Sequence, residues 1–339
     1  MILIGLTLNR KGYEPFIDYV KGLAIIFVVL THLISTDIHK YTWFCLWGDM
    51  AVPLFLIIQV FHAYKKDQVI LKWKQICRRI IVPFIIMQVI ICLSLIIWNR
   101  KIDVSSFEVF GNLGPGAYYP YIYFQFTILL WMIAPLVRKV KTSISLLFIF
   151  VIASQLLELS SIYLHIPSDI YRFLFFRYTF LIYLGCLIAK DELVLNRWTF
   201  VISLISLFFI LMFDGIIGGG KNLSCLFYMD GWRLFHWICY FHVAYILLFL
   251  LKWSFDIMDK NSVWKRYLIN CGKYSYEIFL FQMFFLTFSP INILCSKFLG
   301  DNFFVELTSI FLNIAFITIP IILVKSIKKY SKTYMSGGY

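Results

Sequence analysis

The sequence predicts an all-α fold, a polytopic membrane protein of about ten transmembrane helices with both termini cytoplasmic. Three observations carry that prediction. First, 61% of the 339 residues are hydrophobic and only 14% are charged, whereas a soluble domain has roughly a quarter of its residues charged; the mean hydropathy is +0.82. Second, the apolar residues form continuous runs near the roughly 20 residues that a spanning helix needs. They do not alternate with period two, which excludes a closed barrel. Third, 23 of the 31 Lys and Arg fall on segments at one side of the runs, the asymmetry expected of cytoplasmic connections.

Taken in order, the runs alternate in direction. Residues 17–36 begin just after Arg10 and Lys11 and carry Lys21 near their start; residues 46–64 return to six basic residues between Lys65 and Arg79. Residues 78–98 lead outward and 117–137 lead back to Arg138, Lys139 and Lys141. Residues 143–163 lead out again, and 172–189, with Arg177 inside, return to Lys190 and Arg197. The run 197–214 is followed by 232–252, which ends at five basic residues between Lys252 and Lys273. Finally 274–294 leads out, and 303–324 returns to four lysines between Lys325 and Lys332. An even number of spans puts both termini in the cytoplasm. The opening MILIGLTL is too short for a signal-peptide core, so no cleaved leader is expected. No repeat, linker or soluble insert interrupts the chain, and residues 1–339 read as one transmembrane domain.

The aromatic content, 19%, suits headgroup-level anchoring. The net charge of +13 does not point to nucleic acid, because the basic residues are spread over successive connections and form no single stripe. Anionic membrane lipid or a phosphorylated substrate fits them better. The eight cysteines stand apart, with no CxxC pair and no His/Cys cluster, so packing is their expected role and no metal or cofactor is expected.

Two ionisable residues stand out in the first run, IDYVKGLAIIFVVLTHL. Lys21 and His32 are eleven residues apart, which is within about 20° of three full turns and about 16 Å along a helix. They share one face. Lys21 alone also suits snorkelling to the headgroups, and His32 alone suits a hydrogen-bonded core histidine, but intramembrane ionisable groups point first to function. His242, in the middle of the eighth run, is a lesser candidate. His39 and His165 belong to outer loops and His62 to the inner end of the second run. Asp49, Glu158 and Glu277 sit near run ends, where water or headgroups are expected, and Asp49 could contact an acceptor entering from outside.

These residues carry a family resemblance. Asp18 to His32 resembles the first helix of the integral-membrane acyltransferase 3 family, with a basic residue, ten intervening residues and a histidine. VPLFLIIQVFHAYKK (Val52 to Lys66) looks like its second helix and RRIIVP (Arg78 to Pro83) like the basic entry to its third. YYPYIYFQFTILLWMIAP (Tyr118 to Pro135) and GKYSYEIFLFQ (Gly272 to Gln282) look like its middle and ninth-helix signatures. The chain departs from the family pattern in having Lys21 where Arg is common, Gln59-Val60 where Ser-Gly is common, and Gln282 where histidine is frequent. The first departure keeps the charge. The third leaves a side chain that can serve as neither acid nor base.

The resemblance implies an O-acyltransferase of the polysaccharide-modifying branch. It would move an acetyl or other short acyl group from cytoplasmic acyl-CoA to a hydroxyl of an envelope glycan or lipid-linked sugar, in a bacterial cytoplasmic membrane. Acyl-CoA enters as a substrate. On this reading Lys21, Lys74, Arg78 and Arg79 receive the donor's phosphates, for which guanidinium forks are suited; the arginine pair also suits a purely topogenic role. His32 is the general base, since a neutral imidazole can take the proton of a hydroxyl as it attacks the thioester. The oxyanion needs donors, and Gln125 and Arg177 are candidates, although interhelical hydrogen bonding is what such residues do most often. The alternative functions are a transporter or exporter of a lipid-linked saccharide or polysaccharide, and a membrane subunit without chemistry. Against the first, the runs show no inverted repeat or paired broken helices; the second leaves the alignment of Lys21 with His32 unexplained.

Overall fold

The computed structural model of the chain describes residues 15–34, 47–48, 50–65, 73–97, 115–171, 173–190, 192–217, 236–289, 291 and 303–336. Among these the chain is helical, with no β-strand. We number the helices α1 (Pro15–Thr31), α2 (Ala51–Tyr64), α3 (Trp73–Ile97), α4 (Tyr119–Lys139), α5 (Ser143–Tyr163), α6 (Leu181–Ala189), α7 (Arg197–Ile217), α8 (His236–Ile257), α9 (Val263–Lys273), α10 (Ser275–Phe288) and α11 (Phe303–Ser336). Among the described residues, α3, α4, α5, α8 and α11 contain stretches long and apolar enough to cross a membrane, and α2, α7 and α10 contain shorter apolar helices.

Sequence patterns explain several of these bounds. Thr142 caps α5, its hydroxyl accepting from the Ser145 N–H at 3.2 Å, and satisfies one of the donors that a helix start leaves open. Pro120 sits in the first turn of α4, where a missing N–H does no harm. In α3 the residues Cys77–Ile81 form a π turn. Pro83 accounts for it: the ring offers no N–H to the carbonyl of Arg79 and would clash with it in a regular helix.

Two expected elements differ. Residues 172–189 do not form one helix; a 3-10 turn at Phe175–Tyr178 precedes the nine-residue α6. At 1.5 Å per residue α6 covers about 14 Å, short of a roughly 30 Å hydrocarbon layer. It is instead a core element, with eight of its nine residues buried. Gly185 lets it lie on α2, since a Cβ there would come within 2.5 Å of the Val60 Cβ. The basic stretch 252–273, expected as a connection, contains α9. The ninth run, 274–294, contains α10, which starts at Ser275 directly after Tyr274, the residue that separates it from α9.

α1 is the hub, packing against α2, α8, α9, α10 and α11. Its crossing with α9 is backbone against backbone. A Cβ on Gly22 would lie 1.9 Å from the Leu268 carbonyl oxygen, and one on Gly272 would lie 1.7 Å from that of Asp18. Only glycine permits this approach. Lys265 of α9 closes the end of α8, donating to the carbonyls of Phe255 at 2.6 Å and Met258 at 3.0 Å while its ammonium lies 3.8 Å from the Phe255 ring centre. One buried cluster joins α1, α2, α4, α6 and α8; a second joins the far part of α1 to α3, α10 and α11. The outer faces of α3, α5, α7 and α11 expose large apolar side chains, as lipid contact requires.

Candidate functional site

A cavity of about 1170 Å³ is bounded by α1, α2, α3, α4 and α10. It is larger than most small-molecule pockets, which run from roughly 300 to 1,000 Å³. α1 contributes Lys21 and His32 to the same wall, with Ile25, Val28 and Thr31 between them. The shared face expected from the eleven-residue spacing therefore faces one space.

Lys21 is held by Asp18, one helical turn earlier, at 2.8 Å. The carboxylate is itself buried, so it fixes the ammonium at the cavity wall. On α3, Arg79 lines the cavity, together with Gln75, Ile76 and Ile80. Lys74 and Arg78 are exposed and are not among the lining residues. Adjacent residues of a helix point about 100° apart, so only one of the two arginines faces the cavity; Tyr276 of α10 ties this stretch down, its hydroxyl donating to the Ile80 carbonyl at 2.6 Å. Glu277 and His62 also line the cavity.

α1 ends at Thr31, and His32 occupies the turn that follows, its N–H reaching the Val29 carbonyl at 3.2 Å. Its side chain is exposed to the cavity. Beside it lies Gly116, at φ +80°, where a Cβ would meet Phe279 Cε2 at 3.2 Å, His32 Nε2 at 3.4 Å and Gln282 Nε2 at 3.5 Å. Between the two ends the walls are largely aromatic: Phe55, Tyr119, Tyr123, Tyr276 and Phe279. Gln59 ties α2 to α4 within this wall, donating to Thr127 Oγ1 at 2.7 Å and to the Tyr123 carbonyl at 3.3 Å.

Gln125, Arg177 and His242 lie away from this cavity. Gln125 is absent from the cavity lining; its amide nitrogen donates to the Phe173 carbonyl at 2.9 Å and its oxygen accepts from the Phe175 N–H at 3.3 Å. It pins the segment before α6. Arg177 is buried, hydrogen-bonded to the Tyr240 hydroxyl, with its guanidinium 5.2 and 5.1 Å from the Tyr178 and Tyr240 ring centres. His242, on α8, is not among the lining residues either. Asp49 and His39 lie outside the described residues. Glu158 does not face water or headgroups as its place near a run end suggested, for it is completely buried on α5, and Glu277 faces the cavity. Among the described residues no group of three or more His, Cys, Asp or Glu is placed to hold a metal ion.

Asp18, Gln59, Tyr119, Tyr123, Tyr276 and Phe279 are cavity or supporting residues that residue chemistry alone did not single out. Each lies inside a stretch quoted for its family resemblance, which was the available signal. No curated protein and no solved structure matched the chain in comparison. The sequence model of acyltransferase 3, described as an acyltransferase domain, matches residues 14–327 and so takes in every helix that bounds the cavity. With a polytopic apolar fold around one large cavity and a match over nearly the whole chain, the protein belongs to the acyltransferase 3 family of membrane acyltransferases.

Proposed function

We propose that the protein is an O-acyltransferase that carries an acetyl or other short acyl group from cytoplasmic acyl-CoA to a hydroxyl of a cell-envelope polysaccharide or lipid-linked sugar. The observation that carries this reading is one continuous cavity with Lys21 and Arg79 toward one end and His32 at the other. The cationic end suits the phosphates of the donor, Arg79 by its bidentate fork and Lys21 as a point charge set by Asp18. The axial separation of about 16 Å suits an extended pantetheine arm that delivers the thioester to the imidazole.

At His32 the acceptor hydroxyl gives its proton to the neutral imidazole as its oxygen attacks the thioester carbonyl. The carbon–sulfur bond then breaks. The sulfur leaves with the proton returned by the imidazolium, so that an ester and free CoA thiol result. Family membership does not favour the exporter reading, and both termini on the cytoplasmic side of about ten spans remain part of the proposal.

The test is direct. Purified protein given radiolabelled acetyl-CoA should acylate envelope glycan extracted from cells that lack the gene, and glycan from cells carrying the intact gene should be heavier by one acyl mass. Unchanged glycan mass in both experiments would refute the proposal.

A further inference from the structure

The side chain that departs from the family pattern on α10 has a defined structural setting. Gln282 is completely buried. Its amide nitrogen donates to the Pro115 carbonyl at 3.0 Å and lies 3.5 Å from the point where a Cβ of Gly116 would stand. That same point is 3.4 Å from His32 Nε2 and 3.2 Å from Phe279 Cε2. The side of Gly116 where a Cβ would stand therefore faces the imidazole, the Phe279 ring and the Gln282 amide together. Its positive φ, +80°, is a conformation that suits glycine, and the hydrogen bond from Gln282 is to the residue just before it.

We propose that Gln282 is a positioning residue for His32. By holding the Pro115 carbonyl it keeps the Gly116 turn against the Nε2 edge of the ring and sets the direction in which the imidazole faces the cavity. The catalytic significance rests on His32 being the base; the mechanical coupling does not. The absence of acid–base chemistry at Gln282 is no defect on this account, because a neutral amide supplies the one function the site needs, an N–H donor to a carbonyl. Among the described residues the buried Oε1 accepts no hydrogen bond, so the N–H donation to Pro115 is the polar contact that fixes the side chain.

The experiment is carbethoxylation of the full-length protein in detergent with diethylpyrocarbonate, read at each histidine by peptide mass. His62 lines the same cavity away from the Gly116 turn and serves as the internal reference. Gln282→Met, which keeps the length and loses the donor, should raise the His32 rate by about 2- to 10-fold relative to His62, the range expected from one lost hydrogen bond. Gln282→Asn, an amide too short to reach Pro115, should do the same, which covers the case where the Met variant does not fold. Gln282→His, which restores an N–H donor, should return the ratio toward that of the unmodified protein. An unchanged ratio in a folded Met or Asn variant, or equal acceleration of His32 and His62, would overturn the proposal. Carbethoxylation needs no acyl donor, so the result is independent of the proposed reaction. If that reaction is correct, the same variants lower kcat and leave acyl-CoA affinity unchanged.

Discussion

Arg78 and Arg79 are sequence neighbours with the same charge, and the proposed reaction predicts different consequences for losing each. Arg79 lines the cavity and Arg78 does not, because adjacent helix residues point about 100° apart and Tyr276 ties this stretch down. If the proposed donor site is correct, replacing Arg79 by Gln would remove a charge-assisted contact to a phosphate, which contributes about 1.5–3 kcal/mol. That corresponds to a roughly 10- to 150-fold loss of acyl-CoA affinity. Replacing Arg78 by Gln removes a solvated charge, for which a change of less than about fivefold is expected. The assay is titration of acyl-CoA onto purified protein in detergent at fixed ionic strength, by calorimetry or by displacement of a fluorescent CoA derivative. A raised salt concentration should weaken the parent protein more than Arg79→Gln, since that variant has lost one of the screened contacts. Equal losses for the two substitutions, or a larger loss for Arg78→Gln, would refute the assignment.

Other outcomes follow from the same geometry. His32→Ala should lower acyl transfer by about 10²–10⁴ while acyl-CoA binding stays near normal; substantial turnover in the purified variant would leave His32 a structural residue. Lys21→Ala should weaken donor binding, and Lys21→Arg, which keeps the charge beside Asp18, should retain much of the activity; an Arg variant as poor as Ala would point to the shape of the ammonium instead. Gly22→Ala should destabilise the protein by at least the roughly 1–3 kcal/mol of an overpacked core, because its Cβ would lie 1.9 Å from a backbone oxygen; an unaltered unfolding temperature in detergent would show that α1 and α9 part easily. Reporter fusions after Lys66 and Lys141 should be cytoplasmic and one after Lys101 exterior, and an exterior signal at Lys141 would refute the span count.

Apolar runs marked the helices well where hydrophobicity decides the matter. The fifth run, 143–163, coincides with α5, whose start is set by an ordinary cap. They misled where packing decides. α6 is short because the segment before it is tied down by Gln125 and Arg177, two polar residues whose partners lie 48 to 63 positions away in sequence. α9 was hidden because its charges resemble those of a loop, whereas Lys265 is folded back onto the end of α8 and the glycine pair that seats the helix on α1 has no hydrophobic signature. Helical spacing was enough to place Lys21 and His32 on one wall. It also puts Arg78 and Arg79 about 100° apart, but which of the two faces the cavity depends on how α3 packs against α10, where Tyr276 reaches the Ile80 carbonyl.

The π turn also has a consequence for how this chain can change over time. Beyond it, α3 runs from Val82 to Ile97 with Phe84 and Ile91 its buried residues, so this part is a loosely specified apolar rod in contact with lipid. What sets its angle is the inner side, where Phe84 and Ile91 join the buried cluster with α1, α10 and α11. Apolar substitutions on the exposed face of α3 should therefore be tolerated, and truncation of Phe84 or Ile91 should not be. Deletion of a single residue between Cys77 and Ile81 should not be tolerated either, because closing the π turn to a regular helix would turn the arginine by about 100° relative to everything that follows.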